Sequence, residues 1–172
     1  ASFLWLAVAR AGATAMSGEK GVSTHGALGV DGTQLVEAEG EPLQLRGMSS
    51  HGLQWYPEYI NSGAMYTLKG RGANLFRLAM YADSEHRGYN DSEDNRLMNL
   101  KTLRIGVENA LAADMYVIID WHILKDQNPL RTVDQAEAFF DDISRLYANN
   151  PAVIYEICNE PNGSTTWDDI GR

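Results

Sequence analysis

The chain has 172 residues and a formal net charge of −9, from 23 acidic and 14 basic residues. Its hydrophobic share of 44% and charged share of 22% are those of an ordinary globular domain, which excludes a wholly disordered chain. The acidic balance argues against nucleic acid or an anionic membrane as a partner, because both attract clustered lysine and arginine.

The N-terminus, residues 1–15, reads ASFLWLAVARAGATA, an apolar stretch followed by a small-x-small pattern. This order is typical of the end of a secretory signal, so we predict the remnant of such a signal and an extracellular protein. Arg10 directly follows the apolar run and leaves a short amphipathic helix or an unstructured leader as the alternative. The run is too short to span a bilayer. Residues 16–32, rich in glycine and serine, are predicted to be a linker or loop.

Residues 33–172 are assigned to one domain, which opens with a predicted β-hairpin. Residues 34–38 and 42–46 alternate in part between apolar and polar side chains, and Gly40 lies in the turn between them. Three nearly continuous apolar runs follow, which are typical of parallel strands covered on both faces. They are residues 74–81, 115–122 and 152–158.

Helical patterns lie between these strands. One predicted helix buries apolar side chains that recur every three to four residues, namely Leu97, Leu100, Leu103, Val107 and Leu111. A second covers residues 133–147, where Thr132 and Gln135 predict a capping box. Residues 57–70 predict a weaker first helix.

The alternation of strands and helices predicts an α/β fold. The strand centres Arg46, Phe76, Ile118 and Ile154 are 30, 42 and 36 residues apart, which are βαβ spacings. An open doubly wound sheet and a (β/α)8 barrel both fit, although no G-x-G-x-x-G follows the first strand. A barrel needs eight strands in about 250 residues. Only four are visible here, so the barrel requires this chain to be roughly the N-terminal half.

Polar side chains cluster at the predicted C-terminal ends of the strands, the edge that carries the active site in α/β barrels. Glu160 follows an apolar strand in line with Glu156 and Cys158, so its carboxyl is expected to be partly solvated, which suits a general acid. A solvated loop carboxylate is the alternative. The other candidates at this edge are His51, Gln54, Trp55, Arg77, Tyr81, Asp120, Trp121, His122 and Asn159.

Arg77 lies within an apolar strand, where a guanidinium group needs a carboxylate partner. We expect it to pair with Glu156 inside the barrel, with Arg46 as a competing partner for that carboxylate. Such a pair makes Arg77 structural, catalytic or both. His122 could be a purely structural histidine, and Trp55 could be either a core residue or a platform for a sugar ring.

No metal and no cofactor are predicted. The four histidines show neither H-x-x-x-H nor H-E-x-x-H spacing, and the single cysteine, Cys158, excludes a cysteine-rich zinc site. The acidic residues between 83 and 94 lack the EF-hand pattern, so we interpret them as a solvated loop and a helix N-terminus.

Four segments, in order, resemble glycoside hydrolase family 5, the retaining cellulase family, and most closely its bacterial endo-β-1,4-glucanase branch. They are LRGMSSHGLQW (45–55), GANLFRLAMY (72–81), YVIIDWHIL (116–124) and VIYEICNEPNG (153–163), and the resemblance covers residues 33–167. It implies about the first four β/α units of a (β/α)8 TIM barrel. It also implies an enzyme that cleaves internal β-1,4-glucosidic bonds of cellulose or related β-glucans.

The resemblance also implies residue roles. Glu160 corresponds to the general acid/base, Asn159 to the residue that binds the sugar 2-hydroxyl at the cleavage point, and Arg77 to the arginine that supports the nucleophile. His122 corresponds to a histidine near the same sugar. His51, Trp55 and Tyr81 correspond to contacts with the sugar chain on the non-reducing side.

The family nucleophile is a second glutamate on the seventh strand, and this sequence has no counterpart of it. We therefore expect the chain to be inactive alone and, with open sheet edges, to self-associate. Three alternatives remain: a barrel glycosidase on another β-glycan such as mannan, xyloglucan or lichenan; a non-catalytic sugar-binding barrel; and an α/β domain with an unrelated ligand.

Overall fold

A computed structural model describes residues 20–171. The predicted signal remnant at residues 1–15 lies outside the described residues, as do residues 16–19 of the predicted linker. The rest of that linker is not plain loop. It contains the one-turn helix α1 (Val22–His25) and the strand β1 (Gly29–Asp31).

A β-hairpin precedes the main sheet, as predicted, but its strands are not the predicted pair. Strand β2 (Gln34–Val36) pairs antiparallel with β1 through a turn in which Gly32 has a φ of 60°. Residues 42–46, predicted as the second arm, reach β2 only through a bridge between Val36 and Pro42 and one adjoining hydrogen bond. Pro42 has no N–H group to donate to a strand ladder, so the prediction of residues 42–46 as the second strand of the hairpin was wrong.

The main sheet has four parallel strands in the order β3-β4-β5-β6. They are β3 (Gly47–Gly52), β4 (Leu75–Tyr81), β5 (Tyr116–His122) and β6 (Val153–Glu156). The helices are α2 (Ser62–Gly70), α3 (Glu93–Ala112), α4 (Val133–Leu146) and the short α5 (Trp167–Ile170). Short 3₁₀ turns at Pro57–Tyr59 and Pro129–Thr132 precede α2 and α4. This order confirms the predicted strand-helix alternation.

Three of the five described α-helices, α2, α3 and α5, begin with a side-chain cap, whereas α1 and α4 do not. Asn61 and Ser92 accept hydrogen bonds from backbone N–H groups in the first turns of α2 and α3. The predicted capping box of α4 was wrong, because the Thr132 side chain does not cap the helix. Its hydroxyl oxygen instead accepts a hydrogen bond from Trp121 Nε1 at 3.3 Å. None of the helices within residues 20–171 is long and apolar enough to cross a bilayer.

The hydrophobic core lies between the sheet and helices α2, α3 and α4. Helix α3 contacts it with the predicted face, since Leu103 and Val107 are buried and Leu100 and Leu111 pack against the core. Only Leu97 departs from the prediction, because it is 56% exposed. Gly106 is buried on the same side of the helix. A Cβ atom there would lie 2.6 Å from Leu78 Cδ2 and 2.9 Å from Ile60 Cγ2, so only glycine lets the helix approach β4 this closely.

The extent of the buried face of α3 can be tested with two leucines of the same helix. Leu103→Ala is expected to lower the free energy of unfolding by about 3 kcal/mol, because it leaves a cavity at a fully buried site. Leu97→Ala, at an exposed site, should change it by less than about 0.5 kcal/mol. Urea unfolding followed by circular dichroism measures both. Equal losses would show that the buried face extends to Leu97 and contradict its exposure.

The N-terminal end of the sheet is closed by the segment that carries α1. Asp114 accepts hydrogen bonds from the backbone N–H and the hydroxyl of Ser23 at 2.7 and 2.9 Å. Burial opposes ionisation of Asp114, but these bonds and the Lys69 ammonium group outweigh it and lower the pKa of the carboxyl. The Tyr116 hydroxyl donates to Gly26 O at 2.7 Å. The opposite end of the sheet remains open.

Candidate active site

Arg77 is the centre of the polar cluster on the inner face of the sheet. It donates two parallel hydrogen bonds to Glu156, Nε to Oε2 and Nη2 to Oε1, both at 2.7 Å. Its Nη2 also forms an ion pair with Asp120 Oδ2 at 2.8 Å. The hydrogen bond to Glu156 is the main cause of a raised pKa for the guanidinium, opposed by burial. The predicted Arg77–Glu156 pair is therefore confirmed.

The parallel register brings these groups together. Ser49 is paired with Arg77 across β3 and β4, and Asp120 is paired with Glu156 across β5 and β6. Because paired residues in a parallel sheet face the same side, all four side chains point into one space. Ser49 Oγ accepts a further hydrogen bond from Arg77 Nη1 at 3.2 Å.

Asp120 is the most deeply buried member of the cluster, with a side-chain exposure of 0%. Its Oδ2 lies 2.7 Å from His122 Nδ1, and its Oδ1 is buried without a hydrogen-bond partner among residues 20–171. Burial raises the pKa of this carboxyl, although His122 and Arg77 act in the opposite direction. The sequence marked Asp120 only as a strand-end residue, and its contact with His122 was missed.

Asn159 is buried, and hydrogen bonds fix both its side chain and its backbone. Its Oδ1 accepts from Arg77 Nη2 at 3.0 Å, and its Nδ2 donates to Ile123 O at 3.0 Å. The same Nδ2 lies 3.3 Å from His122 Nε2. The backbone N–H of Asn159 donates to Trp121 O at 3.1 Å, so the loop after β6 stays attached to the end of β5.

An aromatic wall stands beside this network. The Tyr81 ring stacks on the His122 ring with centroids 4.1 Å apart and meets the Trp55 ring edge-on at 4.8 Å. His51 meets Trp55 at 4.6 Å. These four side chains line an open cleft of about 380 Å³, whose other wall includes Asp83, His86, Lys125 and Asp126. The predicted rim residues therefore come together, and Trp55 is a cleft residue.

Glu160 differs from its predicted environment. Strand β6 ends at Glu156, and Glu160 lies on the following loop with a φ of 34° and an exposed side chain. The expected partial burial was wrong, because the strand alternation stops where Asn159 ties the loop to β5. Cys158 does not share its direction with Glu156 either: it packs against the core beside the outer groove of Phe140 and Tyr155.

The charge of Glu160 contributes to the electrostatics of Tyr81 in the cleft. Burial raises the pKa of the Tyr81 hydroxyl, and the negative charges of Asp120 and Glu160 raise it further. The loop that carries Glu160 is fixed by Asn162, whose Nδ2 donates to Glu160 O at 2.9 Å and to Leu124 O at 3.1 Å. The exposed Glu160 carboxyl group thus lies on a loop that is tethered to the end of β5.

One group of possible metal ligands occurs among the described residues. Asp83, Glu85 and His86 place their ligand atoms within 4.8 Å of one another. Their own contacts account for this proximity, since His86 Nδ1 pairs with Asp83 Oδ2 at 3.1 Å and Glu85 N donates to Asp83 Oδ1 at 2.7 Å. Glu85 and His86 are exposed, as expected for a solvated loop.

Comparison with known proteins decides the family. The sequence model of the cellulase family, glycosyl hydrolase family 5, matches residues 36–172. The chain belongs to this family. It is 46% identical over 146 residues to an endoglucanase of Clostridium saccharobutylicum, and the match covers 84% of the chain and 32% of the relative. It is 45% identical over 150 residues to Endoglucanase A of Butyrivibrio fibrisolvens, covering 86% and 35%. The chain thus spans about a third of the length of these relatives.

Solved structures of family 5 enzymes show the same architecture. The catalytic domain of the Thermobifida fusca endoglucanase Cel5A superposes with a TM-score of 0.79 at 38% identity, covering 87% of this chain and 47% of that domain. A variant of the same domain, solved in complex with cellotetraose, superposes equally well. The four parallel β/α units therefore confirm the predicted first half of a family 5 (β/α)8 barrel.

Proposed function

We propose that the whole protein is a retaining endo-β-1,4-glucanase of cellulose or related β-glucans, and that this chain carries the acid/base side of its active site. The observation that carries the proposal is the convergence of Asn159, His122 and Arg77 beside an aromatic cleft, with Glu160 directly after Asn159 in the chain. The endoglucanase names of the relatives support the same reaction.

The mechanism follows from which carboxyl groups are committed to other contacts. A retaining glycosidase needs two carboxyl groups about 5–5.5 Å apart, one as acid/base and one as nucleophile. Asp120 and Glu156 are both held by Arg77, whereas Glu160 is exposed. We assign Glu160 to protonate the leaving oxygen and then to deprotonate the water that releases the sugar. By family resemblance, the nucleophile is a glutamate of the seventh strand, supported by Arg77.

The cleft suits a neutral sugar chain. Trp55 and Tyr81 present aromatic surface, on which the apolar face of a glucose ring can stack, and His51 offers its Nε2 atom to the sugar hydroxyl groups. Asn159 would meet the 2-hydroxyl at the cleavage point. The cellotetraose complex of the structural neighbour supports an oligosaccharide of β-glucan type as ligand. Because such polymers lie outside cells, we also propose that the protein is secreted.

Substrate choice is tested with the whole purified protein on carboxymethylcellulose, lichenan, xyloglucan and mannan. We expect release of reducing sugar and a rapid fall in viscosity with carboxymethylcellulose, since internal cleavage shortens chains quickly. Hydrolysis of mannan alone would assign the protein to the alternative glycan. Binding of cellotetraose without hydrolysis of any polymer would identify a sugar-binding barrel instead.

The 172-residue chain by itself is expected to release no reducing sugar from carboxymethylcellulose. Among its described carboxyl groups, Glu160 can serve as acid/base, but Asp120 and Glu156 are bound to Arg77 and are not free to attack a sugar. The assay compares the purified chain with its Glu160→Gln variant. Turnover that disappears in the variant would contradict this expectation.

The 172-residue chain is also expected to self-associate at micromolar concentration. Strands β3 and β6 are the outer strands of the four-stranded sheet, and neither has a second strand neighbour within residues 20–171. Apolar grooves of about 490 and 450 Å³ run beside them and include the exposed side chains of Met48 and Ile157. Open edges template intermolecular pairing. Sedimentation velocity measures this, and a single monomeric boundary would contradict it.

A further inference from the structure

We infer that Asp120 is a positioning residue that sets the tautomer of His122 and, through it, the orientation of the Asn159 side-chain amide. Asp120 itself is completely buried beneath the rim and cannot touch a ligand in the cleft. Its influence on the site must therefore pass through the groups it contacts. Those contacts form a continuous chain from the buried carboxylate to the imidazole ring and on to the amide.

The first link is the contact between Asp120 and His122. Asp120 Oδ2 lies 2.7 Å from His122 Nδ1 and 2.8 Å from Arg77 Nη2. A carboxylate stabilised by a guanidinium group is an acceptor, so the His122 nitrogen that faces it must carry the proton. In the neutral ring, the proton on Nδ1 leaves Nε2 with a lone pair.

The second link requires the same tautomer independently. His122 Nε2 lies 3.3 Å from Asn159 Nδ2, which can only donate. The other Nδ2 hydrogen goes to Ile123 O, and Asn159 Oδ1 accepts from Arg77 Nη2. A flipped amide would place its NH₂ group against Arg77 and its oxygen against the Ile123 carbonyl, which is repulsive at both ends. The ring and the amide therefore have one mutually consistent arrangement.

The consequence for catalysis rests on the proposed function. Asn159 directly precedes Glu160 in the chain, so a fixed amide also fixes the start of the loop that carries the acid/base group. His122 stacks on Tyr81 with centroids 4.1 Å apart, so its ring orientation also places one wall of the cleft. A single buried carboxylate thus orders both sides of the sugar position without contacting the sugar.

The tautomer can be measured directly from the nitrogen chemical shifts of the His122 ring. The sample is the purified chain above the ordinary imidazole pKa of about 6.5, and the signals are assigned by their loss in His122→Gln. Magic-angle spinning of sedimented protein gives the same shifts if the chain self-associates. In the wild type we expect a protonated Nδ1 and an unprotonated Nε2.

Two substitutions separate an acceptor role from simple filling of space. Asp120→Asn can place its amide oxygen at the Oδ2 position, so the Nδ1–H tautomer should persist. Asp120→Leu has similar bulk but no acceptor, and the ratio of the Nδ1–H to the Nε2–H tautomer should fall by roughly tenfold or more. The Asn159 side-chain amide signals should move in the leucine variant and stay in place in the asparagine variant. Asp83→Leu, which removes the carboxylate beside His86, is the control and should leave His122 unchanged.

A wild-type ring protonated on Nε2 would overturn the inference, and this result needs no variant to fold. An unchanged tautomer ratio and unchanged Asn159 signals in a folded Asp120→Leu protein would also overturn it. The outcome is independent of hydrolysis: a whole protein that cleaves no glucan but shows the Nδ1–H tautomer refutes the proposed function and leaves the tautomer assignment intact.

Discussion

Replacing Glu160 with glutamine in the whole protein is expected to lower kcat/KM for carboxymethylcellulose by roughly 10²- to 10⁴-fold, the usual contribution of a general acid/base. The amide keeps the size and the exposed loop position of Glu160 but has no proton to give to the leaving oxygen. Initial rates of reducing-sugar release measure the loss. Because the side chain is exposed, the free energy of unfolding should hardly change.

The leaving group distinguishes this role from other ways of losing activity. The acidic phenol of an activated aryl cellobioside leaves without being protonated. Cleavage of its glycosidic bond should therefore be much less affected by Glu160→Gln than cleavage of carboxymethylcellulose. Glu108→Gln on the exposed face of α3 is the matched control and should leave both rates unchanged. An equal loss on the two substrates would show that Glu160 does not act as the acid.

Replacing Arg77 with alanine is expected to destabilise the chain by about 3–5 kcal/mol, the loss typical of a buried ion pair with one partner removed. Arg77 holds Glu156 by two hydrogen bonds and pairs with Asp120, which has no contact with solvent. Without the guanidinium group, a carboxylate remains buried with His122 as its nearest donor. Urea unfolding measures the change.

The same variant should show a characteristic pH dependence. Burial already raises the pKa of the Asp120 carboxyl, whereas the positive charge of Arg77 lowers it. Loss of Arg77 would therefore raise this pKa further. A carboxyl whose folded pKa is raised destabilises the fold above that pKa, and the penalty disappears as the group is protonated. The destabilisation should therefore be smaller near pH 4 than at neutral pH.

A surface arginine provides the control for Arg77. Arg145 forms an ion pair with Asp141 on α4 at 2.7 Å, but its side chain is 73% exposed. Arg145→Ala should cost less than about 0.5 kcal/mol at any pH, since solvent screens the pair. Comparable losses for the two variants would mean that the Arg77 cluster is solvated and contributes little to folding.

Local patterns in the sequence were sufficient for the order of elements and for the choice of site residues. Apolar runs and three-to-four periodicity depend on neighbours along the chain, so β4, β5, β6, α3 and α4 could be predicted within a few residues. Parallel strands place their carboxyl ends at one edge of the sheet. This rule predicted that Arg77, Asn159 and the aromatic side chains of the cleft lie close together. The Arg77–Glu156 pair followed because neither charge tolerates an apolar strand alone.

Only the tertiary structure decided several other side-chain contacts, because they depend on packing between separate elements. Gly106 lets α3 approach Leu78 and Ile60 closely, and Trp121 donates to the hydroxyl that Thr132 was expected to use as a cap. The tie between Asn159 and Trp121 ended the alternation of β6 and left Glu160 in solvent. Strand alternation places Asp120 and His122 on one face of β5, but the link from His122 to Asn159 joins β5 to the loop after β6, which no local periodicity encodes.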